Sequence, residues 1–302
     1  VPRETIKMVE EKNCPVCGAS SFKTVRNAPY FRGEKEYFTI QECQECKLWI
    51  TNPRPEDDDL GKYYESEDYV SHTDKKESLI DKVYHLVRNI AVKGKIRLIN
   101  DVVAQKGKLL DYGAGTGFFL KAAQDNGWQV TGVEPSAEAR RNAKENHNLD
   151  LVDPDSYDWS SENKLDCISL WHVLEHLPNL SNHIKNFHTA LRAGGKLIIA
   201  VPNHESYDAQ KYGNAWAALD VPLHLYHFKK KNLEDIAERF GFRVKEIRNM
   251  PFDSFYVSML SEKIARGKIN YFRAVWTGLI SNLKAASQKN ASSLIYVLEK
   301  VK

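Results

Sequence analysis

Leu109-Leu110-Asp111-Tyr112-Gly113-Ala114-Gly115-Thr116-Gly117-Phe118 is the stretch whose reading decides the fold. An apolar run ends on an acid, three glycines follow at alternate positions, and the apolar pattern resumes at Phe118. Such a pattern predicts a buried strand, a tight turn and the start of a helix. Glycines let the backbone approach a ligand closely, and the first turn of a helix offers unpaired N–H groups beside it. Dinucleotide-binding turns read G-x-G-x-x-G. This turn is one residue shorter, which disfavours a nicotinamide oxidoreductase. Asp111 at the strand end would repel a pyrophosphate and suit a cation such as a sulfonium or an ammonium.

Outward from this turn the chain alternates between strand and helix patterns. Strands are expected at 108–112, 128–134, 149–152, 165–171, 196–201, 242–249 and 293–300. Helices are expected at 117–126, 136–147, 181–192 and 230–240, with a longer helical stretch before them at 78–103. This repetition predicts an α/β fold with a parallel sheet covered on both faces. The second strand ends Val133-Glu134-Pro135-Ser136, where Glu134 can accept hydrogen bonds from ribose hydroxyls and Ser136 is a natural helix N-cap.

Four segments in this order resemble the class I S-adenosylmethionine-dependent methyltransferases. They are D-Y-G-A-G-T-G at 111–117, V-E-P-S at 133–136, V-L-E-H-L-P at 173–178 and L-R-A-G-G-K-L at 191–197. The resemblance covers about 107–250. It implies a seven-stranded Rossmann-like sheet whose last strand, 293–299, is antiparallel. It also implies that Asp111, Gly113, Ala114, Gly115, Gly117, Glu134 and Pro135 hold the cofactor with the backbone near Leu170, Trp171 and His172. Asp153 and Asp155 are the acids available for the adenine amino group, and Asp155 is the expected one.

The stretch W-A-A-L-D-V-P-L-H-L-Y-H-F at 216–228 resembles a segment of bacterial methyltransferases from surface-polysaccharide and natural-product clusters. Where that segment often has Arg before its first His, this chain has Leu223. A cysteine-rich front end also resembles nucleotide-sugar C-methyltransferases, which carry a further C-terminal domain. These likenesses imply O- or C-methylation of a small-molecule acceptor, possibly a nucleotide-linked sugar. Histidine titrates near neutral pH and can take a proton, so His172, His224 and His227 are the candidate catalytic residues. The spacing His172-x-x-Glu175-His176 also occurs in inverted zinc proteases, but here it follows a buried strand and closes on Leu-Pro. Tyr64, Tyr69 and His72 are candidates for a loop that closes over the cofactor.

Four of the five cysteines form two pairs, Cys14-Pro-Val-Cys17 and Cys43-Gln-Glu-Cys46. Two such knuckles complete a tetrahedral S4 zinc site, and the residues between them read as short strands. Residues 1–51 are therefore expected to form a zinc-ribbon-like module, 52–106 a linker and helical cap, and 107–302 the catalytic domain. Residues 1–50 carry eight Lys or Arg and seven Asp or Glu, which is no basic patch. The whole chain of 302 residues has a net charge of +3. Nucleic acid is thus an unfavoured partner, and an RNA methyltransferase that reads RNA through the ribbon is the second reading. A protein that binds S-adenosylmethionine without turnover is the third. No apolar signal core or run of 18 apolar residues is present, so a cytoplasmic location is expected.

Between the last two strands lies an insertion at about 253–290. Phe272, Trp276, Leu279, Ile280 and Leu283 share one helical face, and residues 261–302 carry eight Lys or Arg against two Asp or Glu. Such a helix can pack on its own domain, on a second copy in a homodimer, over the substrate site, or on an anionic membrane.

Overall fold

The computed structural model describes residues 6–33, 36–64, 79–159 and 164–301. Tyr69 and His72 lie outside the described residues. Strands β1 (Met8–Val9), β2 (Phe22–Tyr30), β3 (Glu36–Cys43), β4 (Trp49–Thr51) and β5 (Arg54–Pro55) build the front of the chain, followed by helices α1 (Asp57–Tyr64) and α2 (Leu79–Val102). Then come β6 (Lys108–Tyr112), α3 (Phe118–Asp125), β7 (Gln129–Val133), α4 (Ala137–His147), β8 (Leu165–Trp171), α5 (Leu180–Ala190) and β9 (Leu191–Pro202). The chain ends with α6 (Tyr207–Tyr212), β10 (Tyr226–His227), α7 (Lys230–Arg239), β11 (Phe242–Asn249), α8 (Asp253–Arg266), α9 (Tyr271–Gln288) and β12 (Ser293–Lys300).

The central sheet has the order β11-β12-β9-β8-β6-β7. β7, β6, β8 and β9 run parallel, and β12 is antiparallel to both β9 and β11. This is the expected Rossmann-like arrangement with one difference. The expected strand at 149–152 is reduced to a single parallel bridge between Val152 and Val133. Pro154 has no N–H to continue a ladder, and Pro154–Ser156 closes into a 3-10 turn instead.

Side chains alternate between the two faces of the sheet, as a strand requires. Leu109, Cys167, Ile198 and Val297 pack against Leu98 and Ile99 of α2 and Phe119 of α3. Leu110, Ile168, Leu197 and Ile199 pack on the other side against Ile184 and Phe187 of α5 and Leu233 and Ile236 of α7. Fully burying such side chains stabilises by roughly 2 kcal/mol each, which fixes the register of every strand.

The front sheet has the order β10-β4-β3-β2. Its edge strand, Tyr226–His227, comes from the far end of the sequence and pairs with Ile50 and Trp49. Leu48 and Ile50 share the main core with Leu225, Tyr226 and Leu233. Arg32 holds Asp220 through two hydrogen bonds of 3.1 and 2.6 Å.

The insertion forms the α8–α9 hairpin. α9 turns small residues inward: Ala274, Thr277, Ser281 and Ala285 are buried. A Cβ on Gly278 would lie 2.6 Å from the Phe255 ring, so the two helices approach closely there. Large apolar residues face outward instead, with Phe272, Trp276, Leu279 and Leu283 exposed. The apolar stripe is therefore not what packs α9 on its own chain. No helix among the described residues is long and apolar enough to cross a membrane.

One buried acid locks this half of the molecule. Asp208 of α6 accepts hydrogen bonds from Trp216 Nε1 at 2.8 Å, Ser281 Oγ at 2.7 Å and Ser292 Oγ at 2.7 Å. Asp208→Ala leaves three buried donors without their acceptor and is expected to lower stability by about 3–5 kcal/mol. Urea unfolding measures this. A loss below about 1 kcal/mol would show that the three donors find other partners.

Candidate active site

The glycine turn after β6 is built by positive φ angles at Gly113 (77°), Gly115 (55°) and Gly117 (83°). A Cβ on Gly113 would lie 2.4 Å from Val173, whereas one on Gly115 would meet nothing within 4 Å. Gly115 thus lines open space of the kind a cofactor needs. The N–H groups of Gly113 and Ala114 donate to Val133 O, which ties the turn to the end of β7.

Two acids flank the turn. Asp111 is 2% exposed and accepts a hydrogen bond from Ser169 Oγ at 2.6 Å. Burial carries its carboxyl up to about 7, although Ser169 and the Lys95 ammonium oppose the shift. Glu134 is buried and accepts from Gly115 N at 2.8 Å and Ser136 N at 2.9 Å. Burial raises its carboxyl too, against those two hydrogen bonds. Each Glu134 oxygen keeps a second lone pair for a ligand hydroxyl. Arg140 donates to the carbonyls of Glu134 and Pro135 and pairs with Asp153 at 2.9 Å. Asp153 is therefore committed to Arg140, while Asp155 stands exposed at the same edge. Leu170 is fully buried within β8, and the indole N–H of Trp171 is buried with no hydrogen-bond partner among the described residues. This orphaned donor, the open space at Gly115 and the two buried acids fit a cationic nucleoside such as S-adenosylmethionine.

At the end of β8 stands His172, with φ 57°. Its Nε2 lies 2.9 Å from Asp253 Oδ2 and its Nδ1 3.4 Å from Glu175 Oε1. Burial works against the imidazolium, but Asp253, with help from Glu175, outweighs it and carries His172 up to about 10. His172 is thus charged at neutral pH and forms an ion pair with each carboxylate. The expected acid–base role narrows accordingly: it is not a resting base.

His224 is buried and donates from Nδ1 to Ala218 O at 2.9 Å, which leaves Nε2 as its accepting nitrogen. His176 donates from Nδ1 to Leu223 O, and ligand atoms of Glu175, His176 and His224 all lie within 4.8 Å of one another. Burial, helped by His224, lowers His176 to about 4. His227 sits in the β10–β4 ladder with Nε2 3.0 Å from Thr51 Oγ1, and burial holds it well below its ordinary value. Its bonds tie the ribbon to the catalytic half, a structural placement. His204 stacks on Trp49 at 3.9 Å and is neutral, since burial lowers it to about 3. His204, Trp216, His224, Tyr226 and His227 cluster together with no space between them for a water molecule.

Sequence reading missed Lys95 and Asp253. Lys95 Nζ lies 4.4 Å from the centre of the Trp171 ring, close enough to Asp111 and Asp253 for their charges to oppose the lowering that burial imposes. Lys95 precedes Leu98 and Ile99 by three and four residues, so its place on the buried face of α2 was a readable signal. Nothing local marked Asp253.

None of the chain's five cysteines is disulfide-bonded, and four of them lie in the ribbon. Cys14 and Cys46 sulfurs lie 3.5 Å apart, as do those of Cys17 and Cys43, and all four lie within 4.8 Å. A tetrahedral site with ~2.3 Å metal–sulfur bonds spaces its sulfurs about 3.8 Å apart, so the four thiols fit one thiophilic cation. Cys167 is buried in mid-strand, remote in role from these four.

A parallel sheet with a reversed last strand, a glycine turn after β6 and acids ending β6 and β7 defines the class of S-adenosylmethionine-dependent transferases. The methyltransferase domain family matches residues 87–247. The chain belongs to that family and is an S-adenosylmethionine-dependent methyltransferase. An uncharacterised methyltransferase of Staphylococcus carnosus is 26% identical over 168 residues, 51% of this chain and 80% of that one. An uncharacterised methyltransferase of Anoxybacillus flavithermus is 32% identical over 120 residues, 37% of this chain and 57% of that one. Among solved structures, magnesium protoporphyrin IX methyltransferase from Synechocystis shares the fold, with TM-score 0.53 and 14% identity over 81% of this chain and 100% of that one.

Two outcomes follow for binding. Glu134→Ala is expected to weaken S-adenosylmethionine binding by about 1–3 kcal/mol, measured calorimetrically, because ribose hydroxyls lose a buried acceptor. An unchanged affinity would move the cofactor elsewhere. A cation favours ionised Asp111, so affinity should rise as pH climbs from about 6 to 8 and then level off. Asp111→Asn should remove that slope. A slope that persists in the variant would assign it to another group.

Proposed function

We propose that this methyltransferase acts on a hydroxyl oxygen or an acidic carbon of a small sugar-type acceptor, with a nucleotide-linked sugar as the favoured candidate. The observation that carries the reading is that His172 and His224 both lie beside the buried Glu175, His172 at 3.4 Å and His224 within 4.8 Å. That arrangement offers a fixed positive charge and a candidate base at one edge of the sheet. The segment at 216–228, which resembles methyltransferases of surface-polysaccharide and natural-product clusters, supplies His224 to this arrangement.

When bound, S-adenosylmethionine would supply an activated methyl group to the acceptor, with S-adenosylhomocysteine leaving as the neutral thioether. The chain's own work is positioning and proton management. Glu134 orients a ribose, and Asp111 faces positive charge. His172, held between Asp253 and Glu175, presents a fixed positive charge beside the acceptor. His224 Nε2 takes the acceptor proton, and Glu175 beside it stabilises the imidazolium that results.

The four ribbon thiolates are proposed to hold one structural zinc ion, and five unpaired thiols fit a reducing compartment such as the cytoplasm. Metal analysis should give about one zinc per chain. Four titratable thiols without metal in the reduced, folded protein would refute it.

His224→Ala is expected to lower kcat by about 10²–10⁴-fold while S-adenosylhomocysteine still binds, as removal of a general base does. His172→Gln should mainly raise KM for the acceptor. A nucleotide-sugar panel with labelled cofactor provides the assay. If His224→Ala retained full kcat on an accepted substrate, His224 would not be the base.

A further inference from the structure

The α8–α9 hairpin displays apolar side chains that the fold does not use. On α9, Phe272 is 82% exposed, Trp276 57% and Leu283 72%, and Val275 and Leu279 stand exposed between them. These residues fall at i, i+3, i+4, i+7 and i+11, so they form one ridge along the helix. Phe252, exposed at the start of α8, continues it. Asn282 Nδ2 donates to Pro251 O at 2.9 Å, which brings the Leu283 end of the ridge beside Phe252. The next residue, Asp253, is the one that holds His172. The ridge therefore ends near the mouth of the catalytic edge.

Charge identifies the occupant. From Lys263 to Leu298 the chain has six Lys or Arg and no Asp or Glu. Lys268, Arg273, Lys284 and Lys289 are exposed around the ridge. We propose that this hairpin docks the enzyme on an anionic lipid surface, with the Phe272–Trp276–Leu283 ridge in the headgroup boundary and the basic residues against lipid phosphates. Aromatic and leucine side chains on one face with Lys and Arg beside them are what an interfacial helix needs. A second copy is the poorer occupant, since two-fold pairing would bring one acid-free basic ridge against another. The small inward face of α9 lets the hairpin stay folded on its own protein while the ridge is engaged.

The test is co-sedimentation of the full chain with phosphatidylglycerol–phosphatidylcholine vesicles and with pure phosphatidylcholine vesicles, at low and high salt. Binding is expected to the anionic vesicles only, and it should fall at least tenfold on raising the salt. The triple variant Phe272→Ser, Trp276→Ser, Leu283→Ser should lose at least tenfold in binding while its melting temperature and S-adenosylhomocysteine affinity stay unchanged. Arg273→Glu with Lys284→Glu should weaken binding with the ridge intact. No binding to either vesicle, or equal binding to both, would overturn the proposal. A dimer that the triple variant dissociates, without vesicle binding, would assign the ridge to a second copy instead.

Discussion

Burying a carboxylate without a partner is among the most unfavourable things a fold can do, and this one gathers four along a single sheet edge, three of them buried and Asp253 half-buried. Asp111 is held by Ser169, Glu134 by two backbone N–H groups, and Asp253 and Glu175 by one shared histidine. The parallel strands make this possible, because they all end at the same edge and bring residues from β6, β7 and β8 side by side. The acids are not equivalent. Asp111, with a hydroxyl as its hydrogen-bond partner, is pushed up to about 7, whereas the half-buried Asp253, opposite a charged imidazole, is held below its ordinary range. One edge thus carries an acid poised to gain from an incoming cation and another already neutralised within the protein.

The acceptor side depends on a different long-range contact. Tyr226–His227 adds a strand to the front sheet, and the Thr51 hydroxyl bridges to His224 O and the His227 ring. Leu225 N donates to Glu175 O, so the same segment also fixes the loop after β8. The cysteine knuckles, the front sheet and the histidine-bearing segment therefore move as one piece with the catalytic edge. The front sheet in this position fixes the backbone of His224 through Thr51.

The features written in consecutive residues were legible. The turn at Gly113–Gly117 and the ends of β6 and β7 follow from apolar periodicity interrupted by glycines and acids. So does the antiparallel β12, through the resemblance. What was not legible came from pairing across distance. The edge strand of the ribbon lies 176 residues beyond Thr51, since Thr51 meets His227. Asp253 reaches His172 only after α8 folds back over the sheet. α9 misled for a physical reason: its large apolar residues suggest the packed face, but close approach to α8 at Gly278 selects the small residues for that role. The strand expected at 149–152 shrank to one bridge because Pro154 ends the ladder as soon as it begins.

The central claim is that the cofactor lies over the glycine turn between Asp111 and Glu134. A crystal of the full chain soaked with S-adenosylhomocysteine tests it most directly. The expected result is ligand density against Gly113–Gly117 with its ribose hydroxyls on the Glu134 carboxylate. Ordered ligand bound elsewhere, with Glu134 still satisfied only by Gly115 and Ser136, would contradict the account.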